Sequence, residues 1–207
     1  MFAKDYRAAA WKKLTGNWTN VVVAYLIYVV LIGVLSSTGI GSLILGGPLA
    51  IGMVILLLKL SRTGESKIEN VFDGFKNGIG SNIVAGILVP LFTFLWALLL
   101  IIPGIVKSYS YAMTYYILAD HPEMSPTEAI TKSREMMKGN KWRLFCLDFS
   151  FIGWYLLSIL TLGILLLWID PYHMMAHAAF YESLKEAAPQ EDAFVGGMAS
   201  DEGTTQL

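Results

Sequence analysis

Charged residues are absent from three long stretches of this 207-residue chain. No Asp, Glu, Lys or Arg occurs in residues 15–58, 77–106 or 149–169, and each stretch is rich in Leu, Ile, Val, Phe and Trp. A helix needs about 20 apolar residues to cross the hydrocarbon core of a membrane. The pattern therefore predicts several membrane-spanning helices.

Glycine, proline and threonine divide each stretch into two predicted helices. The breaks fall in the glycine-rich segment 39–48, at Pro103-Gly104 and at residues 161–163. The predicted spans are residues 18–37, 46–61, 81–101, 104–119, 142–160 and 164–186. The predicted fold class is all-α: a polytopic membrane helical bundle with six transmembrane helices in three hairpins. The alternative has five spans and a last helix that lies at the interface.

The basic residues predict the orientation of the chain. Thirteen of the fifteen Lys and Arg residues fall in segments 4–13, 59–76 and 132–143. Positive residues in short loops stay on the cytoplasmic side. Both termini are therefore predicted to face the cytoplasm.

Each basic segment also contains a predicted amphipathic helix. Ser125 to Glu128 form a capping-box pattern, and Ser66 to Glu69 repeat it. The apolar faces of the two helices contain Ile130, Met136, Met137, Ile68, Phe72 and Phe75. Such faces contact acyl chains or the bundle, while lysine and arginine lie near anionic head groups.

Three glycines at regular spacing indicate an internal repeat. Gly16, Gly78 and Gly139 each follow one of these cytoplasmic segments, 62 and 61 residues apart. We predict a single membrane domain at 1–186, built from repeats of about 1–61, 62–120 and 121–186. Residues 187–207 are acidic, with glycine, serine and threonine, which predicts a disordered tail.

Several motifs resemble a known bacterial family. They are IPGIVKSYSY at 102–111, SREMMKGNK at 133–141, and Pro171-Tyr172 with Ala179-Phe180-Tyr181. The chain resembles the integral membrane family catalogued as domain of unknown function 975. That resemblance implies a bacterial cell (plasma) membrane location and brings no agreed activity. A looser likeness runs to the membrane domain attached to some glycerophosphodiester phosphodiesterases.

Polar residues in the last predicted hairpin are the candidates for chemistry. Asp170, His173 and His177 share one helical face, and a carboxylate with two imidazoles suits a transition metal such as zinc. We expect these residues to form hydrogen bonds inside the bundle without a bound metal, and a metal site is the alternative. Lys107 and Asp170 are both placed within the outer half of spans, which predicts an intramembrane ion pair. Lys107 reaching the outer head groups is the alternative.

Asp148, one turn into the fifth predicted span, is interpreted as a structural residue that caps the helix or pairs with Arg143 or a cytoplasmic lysine. The single cysteine, Cys146, excludes an internal disulfide. A net charge of -1 gives no basic field for nucleic acid.

The sequence contains no signature of an enzyme or of a cofactor site. Glycine-rich phosphate loops, His-Glu-x-x-His and Gly-x-Ser-x-Gly are all missing. We therefore expect a non-enzymatic membrane module that binds membrane lipids or a membrane-protein partner through its amphipathic helices. The alternative is a small-solute transporter or channel, whose polar lining would contain Lys107, Ser108, Ser110, Asp170 and His173.

Overall fold

The computed structural model describes residues 2–37, 41–76, 78–99 and 101–201, and the side chains of these residues except 43, 99, 101 and 188–201. Within these ranges the regular structure is entirely helical. The α-helices are α1 (Ala3–Leu14), α2 (Trp18–Ser37), α3 (Gly41–Thr63), α4 (Asp73–Lys76), α5 (Ile79–Leu99), α6 (Ile101–Tyr111), α7 (Thr114–Asp120), α8 (Pro126–Met136), α9 (Lys141–Phe149), α10 (Ile152–Leu160) and α11 (Leu166–Asp201). A 3₁₀ helix, Ile68–Phe72, precedes α4.

Four helical segments in the described ranges are long and apolar enough to cross a membrane. They are Trp18–Ser37, Ile44–Thr63, Ile79–Leu98 and Lys141–Leu160. The two other predicted spans, 104–119 and 164–186, are not among these four. The first is divided into α6 and α7, and the second contains Asp170 and two histidines within α11.

Helix α3 forms the centre of the structure. Of its most apolar 18 residues, 61% are buried, against 11% in both α2 and α5. It contacts α2, α5, α7 and α11. Its fully buried side chains include Ile51, Met53, Leu56, Leu57 and Leu60. The other apolar helices therefore turn much of their surface away from the protein interior, as lipid contact requires.

The predicted helix breaks have different outcomes. The turn at 161–163 is confirmed, and Leu162 and Gly163 adopt positive φ angles of 53° and 83° there. The helix break predicted at Pro103-Gly104 lies a few residues earlier, since α5 ends at Leu99 and α6 begins at Ile101, so both residues lie in the first turn of α6. Proline is tolerated there because its missing N–H would have no helical partner. The predicted break in segment 39–48 is wrong for residues 41–48, because α3 begins at Gly41 and contains Pro48, while residues 39–40 lie outside the described ranges.

The predicted amphipathic helix at 126–136 packs against the bundle. The capping box forms as predicted: Glu128 N–H donates to Ser125 Oγ at 3.3 Å, and Ser125 N–H donates to Glu128 Oε2 at 3.0 Å. Ile130 and Met137 are buried, and Met136 is partly buried. Ser133 Oγ donates to the Ser110 carbonyl at 2.8 Å. The apolar face of α8 is thus covered by protein.

The upstream segment is built differently. Its predicted capping box does not form, because the 3₁₀ helix starts after Lys67 without a side-chain cap, and Ser66 Oγ donates to Asn17 Oδ1 at 3.4 Å instead. Ile68 and Phe75 pack on the core, whereas Phe72 is 42% exposed.

The three glycines of the predicted repeat share one backbone conformation. Gly16, Gly78 and Gly139 have φ angles of 89°, 62° and 75°. Each is followed within two residues by α2, α5 or α9. Helix α11 continues to Asp201, and residues 202–207 of the predicted tail lie outside the described ranges.

Candidate functional site

A connected group of polar side chains lies between α2, α9, α10 and α11. We call this group the polar cluster, and its members are Tyr25, Asp148, Tyr155, Asp170, His173 and His177. The turn at 161–165 folds α11 back along α10 and α9, so that residues on either side of it face each other.

A break between α9 and α10 lies beside the cluster. The Phe151 N–H bonds to the Asp148 carbonyl at 2.9 Å, three residues earlier, which is 3₁₀ geometry. The Arg7 guanidinium of α1 donates to the Ser150 carbonyl at 3.4 Å and lies 5.5 Å from the centre of the Phe151 ring. The Phe151 ring is 4.7 Å from that of His173. Helix α1 therefore covers the break.

Asp148 joins both histidines. Its Oδ1 atom lies 2.9 Å from Nε2 of His173 and 2.6 Å from Nε2 of His177. The histidines are one turn apart on α11, so both imidazoles face α9. The three side chains retain 26%, 21% and 18% of their accessible surface, respectively. Their ligand atoms all lie within 4.8 Å of one another.

Asp170 continues the cluster toward α2. Its carboxylate accepts a hydrogen bond from the Tyr25 hydroxyl at 2.6 Å and one from the Tyr155 hydroxyl at 2.9 Å. The Tyr155 oxygen also lies 3.1 Å from Nδ1 of His173. One tyrosine thus connects the two carboxylate centres.

The structure brings together part of the residue set that the sequence offers as the alternative metal site. His173 and His177 meet as predicted, but the third group that contacts them directly is Asp148 and not Asp170. Asp170 reaches His173 only through the Tyr155 hydroxyl. The expected pairing of Asp148 with Arg143 is wrong, since Arg143 donates to the Asn140 side chain and the Tyr6 hydroxyl.

A signal for Asp148 was present in the sequence. Asp148 lies 14 residues before Leu162, and His177 lies 15 residues after it. A helical hairpin with its turn at this position places the two residues at the same level. Spacing along α11 alone could not show this contact because Asp148 lies on the other arm of the hairpin.

Lys107 and Asp170 are not brought together as an ion pair among the described residues. Lys107 Nζ lies 4.5 Å from the centre of the Trp96 ring on α5, a cation–π contact. Asp170 has its two tyrosine donors instead. Lys107 and Asp170 each directly follow an uncharged stretch of the sequence, but in the structure each has a different partner.

The chemistry of the polar cluster is compatible with proton transfer and with metal binding. A hydrogen-bonded series of carboxylates, tyrosines and imidazoles can pass protons, as such groups do inside membrane proteins. Two imidazole nitrogens and a carboxylate oxygen that converge on one point can hold a divalent transition-metal ion. Asp148, His173 and His177 would be its ligands.

Comparison with known proteins gives a family and no activity. No curated protein and no solved structure matches the chain. Residues 98–188, which contain every member of the polar cluster except Tyr25, match the family described as Protein of unknown function (DUF975), the same family that the sequence motifs resemble.

Proposed function

We propose that this protein binds a small cation at the polar cluster and transfers it through a multi-pass helical bundle. The observation that carries the proposal is the continuous series of contacts from Tyr25 through Asp170, Tyr155 and His173 to Asp148. Ionisable groups between apolar helices are costly, and in membrane proteins they mark ion and proton paths.

The proposed topology has six spans in three hairpins, with both termini in the cytoplasm of a bacterial cell. Four apolar segments of sufficient length support it, as does the contact of α5 with α6 and of α10 with α11. The basic residues near the ends of these helices support the orientation. The shared conformation of Gly16, Gly78 and Gly139 supports the threefold repeat.

Packing of the amphipathic segments favours a site inside the bundle over lipid binding through their apolar faces. Tyr6, Ala10 and Leu14 of α1 are buried, and helix α1 contacts α11 and α9. Ala129 and Ile130 of α8 are buried as well. These faces stabilise the fold and are covered by protein.

The second candidate is a module that binds a membrane-protein partner or lipid head groups from the cytoplasmic side. The observation in its favour is a groove of ≈ 510 Å³ on the outer face of α8, beside Glu128, Thr131 and Lys132. Charge reversal by Lys132→Glu would weaken such binding and leave cation transfer unchanged.

Current measurements on reconstituted vesicles test the first candidate. The protein is placed in phospholipid vesicles on a solid-supported membrane, and concentration jumps of H⁺, K⁺, Mg²⁺ and Zn²⁺ are applied. We expect a current with at least one of these ions, reduced at least tenfold by Asp148→Asn and by Asp170→Asn. The control is His121→Gln, whose imidazole lies 3.4 Å from Glu123 and outside the cluster. Currents equal in all four proteins, or none with wild type, contradict the proposal.

A further inference from the structure

We infer that Asp148, His173 and His177 form a binding site for a divalent first-row transition-metal ion, with Zn²⁺ as the reference ion. The inference rests on the proposed function in that it names the class of cation that the polar cluster takes. The site uses one carboxylate from α9 and two imidazoles from α11, which is a typical ligand set for such ions.

The hydrogen bonds of Tyr155 determine which nitrogen of His173 carries a proton. The Tyr155 hydroxyl has one proton, and it donates this proton to Asp170. The contact of 3.1 Å between Tyr155 Oη and His173 Nδ1 therefore requires that Nδ1 carries a proton and donates it. In neutral His173 the other nitrogen, Nε2, then has a bare lone pair.

That lone pair faces a carboxylate. Nε2 of His173 lies 2.9 Å from Oδ1 of Asp148, and two acceptors at this distance repel each other unless a cation lies between them. A proton or a metal ion can fill this role. The hydrogen bond from Nδ1 to Tyr155 is the outer contact that metal-binding histidines usually make, since it fixes the tautomer and aims Nε2 at the ion.

The negative charges of the polar cluster also favour a bound cation. The polar cluster contains two carboxylates, Asp148 and Asp170. Among the described residues, Asp148 has ion-pair contacts only with the two histidines, and Asp170 has no lysine or arginine partner. Two uncompensated negative charges between apolar helices are costly. A divalent cation bound at Asp148 would offset both charges.

The distances suit an ion of this size. Zinc binds imidazole nitrogen and carboxylate oxygen at about 2.0–2.2 Å, so neighbouring ligand atoms in a tetrahedral site are roughly 3.3 Å apart. The present separations from Asp148 Oδ1 are 2.6 Å and 2.9 Å. An outward shift of less than about 1 Å per side chain therefore admits the ion. The His177 imidazole binds through Nε2 with its proton on Nδ1.

The ligand set also favours transition-metal ions over Mg²⁺ and Ca²⁺. Magnesium and calcium prefer oxygen ligands only and are not expected to compete. Two imidazoles with one carboxylate favour Zn²⁺, Fe²⁺, Co²⁺ or Mn²⁺, and three protein ligands leave a coordination position for water or solute. A site with an exchangeable position suits an ion that must later leave it.

Metal titration of the purified full chain in detergent micelles tests the inference. After treatment with a chelator, Co²⁺ is added and visible absorption recorded, followed by Zn²⁺ and Mg²⁺ as competitors. We expect about one Co²⁺ per chain, displaced by Zn²⁺ and not by Mg²⁺. Asp148→Asn and His173→Gln should weaken binding at least tenfold, whereas His121→Gln should bind as wild type. Binding of less than a tenth of an equivalent to wild type, or equal binding by all variants, overturns the inference.

A second measurement needs no variant. Diethyl pyrocarbonate modifies accessible histidines, and mass spectrometry reports the extent at each of the three in this chain. Zn²⁺ should protect His173 and His177 at least fivefold while His121 is modified at an unchanged rate. Equal rates with and without Zn²⁺ at all three histidines overturn the inference.

The two proposals fail separately in these experiments. Metal binding without any current would contradict cation transfer and leave the site intact. Proton currents that depend on Asp148, in a protein that binds neither Co²⁺ nor Zn²⁺, would contradict the metal site and support transfer of protons.

Discussion

Asp148 is the residue on which the polar cluster is centred. One of its oxygens contacts two imidazoles, at 2.9 Å and 2.6 Å, and the Tyr109 hydroxyl lies beside the same carboxylate. A buried charge is tolerated when it is paired and hydrogen-bonded. Removing this carboxylate would leave two imidazoles facing each other without their shared partner.

Tyr155 controls the orientation of His173, and its hydroxyl can be removed without changing the packing of the ring. We expect Tyr155→Phe to weaken Zn²⁺ binding about 10- to 100-fold, the range for losing an outer contact of a metal ligand. The thermal midpoint should stay close to that of wild type. Calorimetric titration with Zn²⁺ measures the change.

The matched control is Tyr111→Phe, which removes a hydroxyl outside the polar cluster from a ring packed on Phe92. If Tyr155→Phe and Tyr111→Phe bind Zn²⁺ equally well, the bond to Tyr155 does not position His173.

Residue spacing was sufficient to group His173 with His177 because both lie on one helix and one face. It could not choose between Asp148 and Asp170 as the third group. That choice depends on the register of the α9–α10 arm against α11, which the turn at 161–165 and the break after Ser150 set together.

At the scale of elements, a close crossing joins α3 and α5. An added Cβ at Gly86 would lie 2.5 Å from the Gly47 Cα, and one at Gly47 would lie 2.9 Å from the Gly86 Cα. The two backbones approach so closely because neither residue has a side chain. The apolar stretches predict the helices that carry these glycines, but the partner of each glycine is set by a tertiary contact.

We expect Gly86→Ala to destabilise the protein by about 1–3 kcal/mol, the usual cost of overpacking against backbone atoms. Gly80→Ala on the same helix is the control, because nothing lies within 4 Å of its added Cβ. Unfolding in mixed micelles compares the two variants. Because alanine favours helix more than glycine, helix propensity cannot explain a loss of stability in either variant. A Gly86→Ala variant that is as stable as Gly80→Ala would show that the crossing does not require a glycine at this position.

A second link between elements is the ion-pair network around Asp120, at the end of α7. Arg62 of α3 and Lys185 of α11 contact its carboxylate at 2.7 Å and 2.8 Å. Burial raises the pKa of Asp120, but hydrogen bonds from Arg62 and Lys185 outweigh burial and lower the pKa from 3.8 to about 2. The lowered pKa means that the folded state is stabilised when this carboxylate is ionised.

This stabilisation is present above pH 4 and is lost as the pH falls from about 4 to 2. We expect Asp120→Asn to lower the thermal midpoint at pH 7 and to flatten its decline between pH 4 and pH 2. The control is Glu123→Gln, since the Glu123 side chain is 73% exposed. Curves for wild type and Asp120→Asn that stay parallel down to pH 2 would show that Asp120 does not carry this dependence.

Helix positions were largely predictable from the apolar stretches, whereas several helix ends were not. The sequence predicts a helix break at Pro103, yet this proline occupies the first turn of α6, where proline costs little. The break at Ala112-Met113 has no proline or glycine. It lies where Ser133 of α8 accepts a hydrogen bond from the Met113 N–H at 3.2 Å, a contact that local sequence cannot report.

At the scale of the whole molecule, the surface is unusually apolar. Large apolar side chains are exposed along α2, α5 and α10, including Leu98 at 73% and Leu160 at 81%. A patch of this extent in water would cause aggregation, whereas lipid solvates it. The buried side chains of α3 and α11 are mainly apolar as well, so apolar side chains form both the core and much of the exposed surface.

The proposed topology predicts which positions are reached from outside the cell. With Cys146 replaced by serine, we expect Leu162→Cys to react with a membrane-impermeant maleimide in intact cells, since Leu162 is 94% exposed at a turn. Lys132→Cys should react only after the membrane is permeabilised. Labelling of Lys132→Cys and protection of Leu162→Cys in intact cells would show that the chain has the opposite orientation in the membrane.

In the proposed site, α9 and α11 hold a cation between one carboxylate and two imidazoles. X-ray absorption at the zinc edge of the Zn²⁺-loaded full chain reports the identity and distance of the ligands. We expect two imidazole nitrogens and additional oxygen ligands at about 2.0–2.2 Å from the zinc ion, with no sulfur ligand. A spectrum without imidazole scattering, or one with a Cys146 sulfur at about 2.3 Å from the zinc ion, would contradict the proposed site.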